Sequence, residues 1–179
     1  MHLVTRSLLS IITVLFLASC GDTTTPNRIP IEVADVSNIH HPSARHFTSG
    51  QPTEAQLATF KELGVATVIN LRSHAEMKAI PEAQWAQDLN LDYYRIPISG
   101  GDDLTRENVA EFHRLLNRPQ GSESNAKVLM HCASSNRVGA MMALQAAWFE
   151  GASKEQALKL GRAYGLNGLA PQVEKLLSE

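Results

Sequence analysis

Cysteine is scarce in this chain: among 179 residues there are two, Cys20 and Cys132, and they sit in unrelated settings. An excess of either charge is also missing. Sixteen Lys and Arg stand against eighteen Asp and Glu, a formal net charge of −2. That balance removes the electrostatic case for a nucleic-acid partner or for broad contact with acidic lipid. His40, His41 and His46 form a local cluster, but no carboxylate or cysteine stands nearby at metal-ligand spacing, so solvated loop histidines are expected there. The chain holds no internal repeat and no low-complexity segment. What is present is ordinary for one packed domain: 44% hydrophobic and 19% charged residues.

The most informative segment runs from Lys127 to Phe149. Residues 127–131 (KVLMH) read as a short buried strand, and 138–149 read as a helix with Val138, Met141, Met142, Leu144, Trp148 and Phe149. Cys132 lies on the turn between them, where backbone N–H groups converge and the helix dipole favours negative charge. Such a setting lowers a thiol's pKa and favours a thiolate nucleophile. Arg137, five positions on, can fold back and grip an oxyanion through two N–H groups. A buried structural cysteine and a surface ion pair are the bland readings of Cys132 and Arg137. Their joint placement favours a site.

Elsewhere strands and helices alternate. Residues 45–48 suggest a first strand, and Thr53-x-x-Gln56 a capping box for a helix with Leu57, Phe60 and Leu63 on one face. Residues 65–71 (VATVINL) read as a strand covered on both faces. Pro81 opens a helix with Trp85 and Leu89 inward, and 91–98 alternates as another strand. Thr105 and Ser153 cap further helices, and a last helix carries Val173, Leu176 and Leu177. The fold class is therefore α/β, a mainly parallel central sheet flanked by helices. Ligands in such sheets bind beyond the carboxyl ends of the strands, so the loops after 71, 98 and 131 should meet. Those loops bring Arg72, Asp102, Asp103, Cys132 and Arg137 together. For Arg72, pairing with Glu76 and lining the pocket are both open. His113 is expected on a solvated helix face, and one of Tyr93 and Tyr94 at the pocket edge.

At the N-terminus Arg6 precedes an apolar stretch from Leu8 to Ala18, too short to span a bilayer comfortably and laid out as a signal peptide. Leu17-Ala18-Ser19-Cys20 resembles a bacterial lipobox, which implies lipid on Cys20 and a periplasmic, membrane-tethered protein. Gly21 after the cysteine implies the outer membrane in enteric-type sorting. The expected organisation is signal peptide 1–19, tether 20–31 and domain 32–179. Cys132 would then be a free thiol in an oxidising compartment, which suits a catalytic role.

His131-Cys132 with Arg137, between an apolar strand and a small-residue helix, resembles the active-site loop of cysteine-dependent protein tyrosine phosphatases. The likeness is to small bacterial dual-specificity-like members, including domains associated with beta-lactamase-hydrolase-like proteins. Residues 67–72 (TVINLR), 97–105 and 48–52 (TSGQP) are similar to other parts of that family, so the resemblance spans roughly 43–170. It implies attack by the Cys132 thiolate on phosphorus. The amides of Ala133, Ser134, Ser135, Asn136 and Arg137 and the Arg137 guanidinium would hold the oxygens. Asp102, or failing that Asp103, would be the general acid, with His131 supporting the loop. Arg72 is a candidate substrate-binding residue, and no metal or other cofactor is required. Two features depart from the pattern. The family places five residues between Cys and Arg, whereas this chain has four, and Val138 stands where a hydroxyl residue commonly follows the arginine. Asn136 is the residue of the glycine-free loop expected to accept positive φ. A non-catalytic anion-binding module and rhodanese-like sulfur transfer, whose loop has this shorter length, are the competing readings.

Overall fold

The computed structural model describes residues 28–118 and 126–179. The expected signal segment and tether up to residue 27, with Cys20, and residues 119–125 lie outside these residues. Five strands, β1 (His40–Ser43), β2 (His46–Ser49), β3 (Val65–Asn70), β4 (Asp92–Arg95) and β5 (Lys127–His131), form one sheet in the order β1-β2-β5-β3-β4. Only β1–β2 is antiparallel; the other three pairings are parallel. The sheet is thus mainly parallel, as the alternation of elements implies. Six helices cover it: α1 (Glu54–Glu62), α2 (Glu82–Asp88), α3 (Arg106–Leu116), α4 (Asn136–Phe149), α5 (Lys154–Ala163) and α6 (Ala170–Leu176).

Successive strand residues feed opposite faces. Val128, Met130 and Ile69 enter a core completed by α3, α4, α5 and α6, including Phe112, Met141, Leu144 and Val173. Leu129, Val68 and Phe47 enter a second core with Leu57 and Phe60 of α1 and Ala86 of α2. Trp85 packs against this second core and Trp148 against the first. The capping boxes at Thr53 and Ser153 are both closed, each side chain accepting from the third helical amide and each Gln side chain returning to the cap N–H.

Several expectations are corrected. His40 and His41 lie on β1 and His46 on β2, not in a solvated loop; His41 stacks on Phe47 at 4.2 Å and His46 Nδ1 lies 2.7 Å from the Tyr164 hydroxyl. Pro42 hides β1 from a sequence reading, since proline sits in sheets mainly on edge strands such as this one. The strand expected over 91–98 is regular only from Asp92 to Arg95, although Ile96 and Ile98 still donate to Asn70 O and Leu71 O. His113 is half-buried, stacked on Phe149 and bonded to Gln145 of α4. Of the two tyrosines of β4, Tyr94 turns to Arg118 and packs against the first core. The Tyr93 hydroxyl reaches Asn70 and Glu82, in keeping with the expectation that one is core and the other nearer the site.

The register sets the stage for the site. Ser49 pairs with His131, His131 with Asn70, and Asn70 with Arg95. Four parallel strands therefore stop at one level, and the chain leaves each on the same edge of the sheet.

Candidate active site

Cys132 is the first residue beyond β5 and is buried, its amide donating to Ser49 O at 3.3 Å. The following loop turns back so that the Ser134 N–H points at Cys132 Sγ, 3.4 Å away. Helix α4 begins at Asn136, and its first intrahelical bond runs from Gly139 N to Ser135 O. The amides of Asn136, Arg137 and Val138 precede that bond and have no helical acceptor. Sulfur and free amides thus share one concave turn at the positive end of a fourteen-residue helix.

The residue with positive φ is Ser135 (φ 60), not Asn136. Asn136 is already helical, and its Oδ1 accepts from the amides of Asn167 and Leu169 at 2.8 and 3.3 Å. Ser135 is buried, donates from Oγ to Asn38 O at 2.7 Å and lies against Gly165, where a Cβ would come within 2.5 Å of its own. Gly50 closes the other side: a Cβ there would meet Ala133 O at 2.9 Å.

Arg137 is held from one edge. Nη1 and Nη2 donate to the two Glu76 oxygens at 2.7 and 2.8 Å, and Nη1 also donates to Ile98 O at 2.6 Å. A guanidinium has five N–H groups in one plane. Three are consumed by these bonds, which leaves the Nε–H and one Nη2–H side by side on the opposite edge. The Glu76 bonds raise the pKa of Arg137, burial opposes them, and the nearby Cys132 sulfur acts in the same direction as Glu76. Glu76 in turn is driven well below the usual carboxylate range, chiefly by its hydrogen bonds with Arg137, with burial opposing and Ser73 assisting.

Arg72 points into the same network. Its Nε donates to Glu76 Oε1 at 3.3 Å and its Nη1 to Gln51 Oε1 at 2.7 Å, so pairing with Glu76 is the arrangement adopted. Gln51 Nε2 continues to Glu82 Oε1 at 2.8 Å, and Glu82 receives Asn70 at 2.6 Å, Tyr93 at 3.0 Å and His131 Nε2 at 3.0 Å. Burial alone would raise the Glu82 pKa. The charge of His131 and hydrogen bonds from His131, Tyr93 and Gln51 outweigh it and leave the group lowered. A continuous polar chain therefore runs beneath the loop from His131, beside the sulfur, to Arg137 on its far side.

Asp103 bonds the Ser99 amide through Oδ2 at 2.6 Å and closes its own turn. Asp102 stands exposed on the same 3-10 turn, Gly101–Asp103, without a hydrogen-bond or ion-pair partner among the described residues. The turn follows Ile98, whose carbonyl touches Arg137, so the loop after β4 does approach the cradle. Sequence reasoning missed Gln51, Asn70 and Glu82 as site residues. Glu82, in the first turn of α2, reads in sequence as a solvated carboxylate complementing a helix dipole.

A buried cysteine at the turn into α4, facing an arginine that a carboxylate orients, on a mainly parallel sheet flanked by helices, has the layout of a tyrosine-phosphatase-type site. The chain belongs to the family described as DSP-PTPase phosphatase fused to NAD+ kinase, which it matches over residues 24–175. It is 28% identical over 123 residues to the beta-lactamase hydrolase-like protein of Xylella fastidiosa (strain Temecula1), a stretch covering 66% of this chain and 27% of that protein. The chain thus spans about a quarter of that relative's length. In fold it is similar to a DUF442 protein of Shewanella putrefaciens CN-32 (TM-score 0.62, 23% identity, 82% of this chain and 93% of that one). It is also similar to P. aeruginosa TpbA, solved as a cysteine-to-serine variant with phosphotyrosine (TM-score 0.60, 19% identity, 87% and 89% covered).

Proposed function

We propose that the protein hydrolyses a phosphate monoester through a phosphocysteine on Cys132. The carrying observation is the free edge of Arg137: two parallel N–H groups remain beside the sulfur while Glu76 and Ile98 fix the opposite edge. A planar fork held this way is suited to two oxygens of a phosphoryl group. Cys132 sulfur bonds to phosphorus as the ester P–O bond breaks, and Asp102 gives its proton to the leaving oxygen. Water then attacks phosphorus, Asp102 takes its proton, the S–P bond breaks, and inorganic phosphate leaves with the thiolate restored. The loop amides and Arg137 hold the charge that spreads over the non-bridging oxygens. Asp103 is already engaged with Ser99, which favours Asp102 for the acid role.

Phosphotyrosine and phosphoserine, in proteins or as small molecules, are the first substrates to assay. Hydrolysis of an aryl phosphate by the wild-type protein, lost in Cys132→Ser, is expected. Retained phosphate binding without turnover would support an anion-binding module instead, and thiosulfate-to-cyanide transfer would support sulfur chemistry.

We infer further that Cys20 is lipidated and anchors the domain at a periplasmic membrane face, the outer membrane if sorting follows the enteric rule. The support is the Leu17-Ala18-Ser19-Cys20 sequence behind a short apolar segment. Cys20→Ser should move the protein from the membrane to the soluble fraction and abolish labelling by a fatty acid.

A further inference from the structure

Beside the cradle lies a recess of about 400 Å³, lined among others by Asn38, His40, Ser134, Asn136, Arg162 and Asn167. Ser134 and Asn136 belong to the Cys132 loop itself, so recess and cradle share a wall. Both outer walls are bonded to that loop: Ser135 Oγ holds Asn38 O, and Asn136 Oδ1 holds the amides of Asn167 and Leu169. The recess therefore keeps a fixed relation to the Cys132 loop, as a specificity pocket must.

Its chemistry is one-sided. Among the described residues no carboxylate lines it, and Arg162, at the end of α5, supplies a cation. Glu174 on α6 lies 3.8 Å from Arg162 Nη2, with the two side chains 45% and 61% exposed, so that pairing is weak and easily exchanged. Burial holds His40 below its ordinary pKa, which leaves it a neutral donor or acceptor. Asn38 and Asn167 add neutral amides. Among the described residues the lining has no Phe, Tyr or Trp wall on which an aryl ring would stack. Its size is in the range of small-ligand sites.

We propose that this recess receives a second anionic group, phosphate or carboxylate, of a small phosphorylated substrate whose ester phosphate occupies the Cys132 cradle, with Arg162 as its partner. This rests on the phosphatase reading above and narrows its substrate class. The larger groove between α3, α4 and the C-terminus, near Trp148 and Leu176, lies at the opposite end of α4 from Cys132 and cannot serve that role.

The test compares kcat/KM for phenyl phosphate, 3-phosphoglycerate and fructose 1,6-bisphosphate in wild type, Arg162→Gln, Arg162→Lys and Arg162→Glu. The ratio of the better two-anion substrate to phenyl phosphate should fall about five- to tenfold in Arg162→Gln, mainly through KM. It should recover in part in Arg162→Lys and fall further in Arg162→Glu. Ratios unchanged in Arg162→Gln and Arg162→Glu, with phenyl phosphate still hydrolysed, overturn the inference and leave the phosphatase reading intact. Absence of any hydrolysis by the wild type defeats that reading instead. The recess is then judged on Cys132→Ser protein by calorimetric titration with inorganic phosphate and the same two-anion ligands. Equal affinities with and without Arg162 sink it.

Discussion

Glu76 has every acceptor position filled: Arg137 takes one on each oxygen, Arg72 Nε a second on Oε1 and the Ser73 amide a second on Oε2. A carboxylate so committed positions Arg137 and takes no part in proton transfer. Glu76→Gln keeps the shape but replaces an acceptor by a donor facing two guanidinium groups. We expect kcat/KM for an aryl phosphate to drop about ten- to a hundredfold, because misplacing an oxyanion clamp by an ångström has costs of that order. Phosphate inhibition should weaken in parallel, and retained inhibition would contradict the role. Asp102→Asn should lower kcat for a poor leaving group far more than for p-nitrophenol, because only the former needs a proton. An equal loss on both would assign Asp102 to the turn.

At the scale of elements, α4 carries the site and is held close to its neighbour by absence of side chains. A Cβ on Gly139 would stand 2.1 Å from Leu166 N and 2.6 Å from Gly161 O. Gly139→Ala should therefore destabilise the fold by at least the 1–3 kcal/mol (roughly) of an overpacked core, measured by denaturant unfolding. Thr53→Ala, which opens a capping box remote from the cysteine, should cost about 1 kcal/mol and leave kinetics alone. Elements of this kind were legible beforehand. Both capping boxes, the glycine ending α1 and the apolar strands β3 and β5 follow from local rules. The edge strand β1 was not, because His40-His41-Pro42-Ser43 has neither alternation nor a proline-free ladder. The nucleophile and its arginine stood out as a motif, whereas Glu82 and Gln51 did not. Their roles exist only because β2, β3 and β5 end at one level and pool their loops, a long-range fact without a local signature.

For the whole molecule, the two carboxylates under the loop set the acid limit. Glu76 and Glu82 both titrate below their ordinary value of 4.5 when folded. The unfolded chain then binds more protons, so their stabilisation is complete above about pH 4.5 and is lost as pH falls below it. Unfolding midpoints recorded against pH should drop steeply below that point in wild type and less steeply in Glu76→Gln. Parallel curves would remove the linkage.

Ser135 takes the one left-handed turn of the loop between Cys132 and Arg137. A non-glycine residue in the left-handed region costs about 1–2 kcal/mol, and here the opposing hold comes from Asn38, nearly a hundred positions earlier, and Gly165, thirty later. The curvature of the hexapeptide 132–137 is thus imposed by its surroundings. Transplanted onto another sheet, that hexapeptide would relax and lose its anion grip. Drift at positions 38 and 165 should be as constrained as drift within the motif, which makes this cysteine loop a non-portable one.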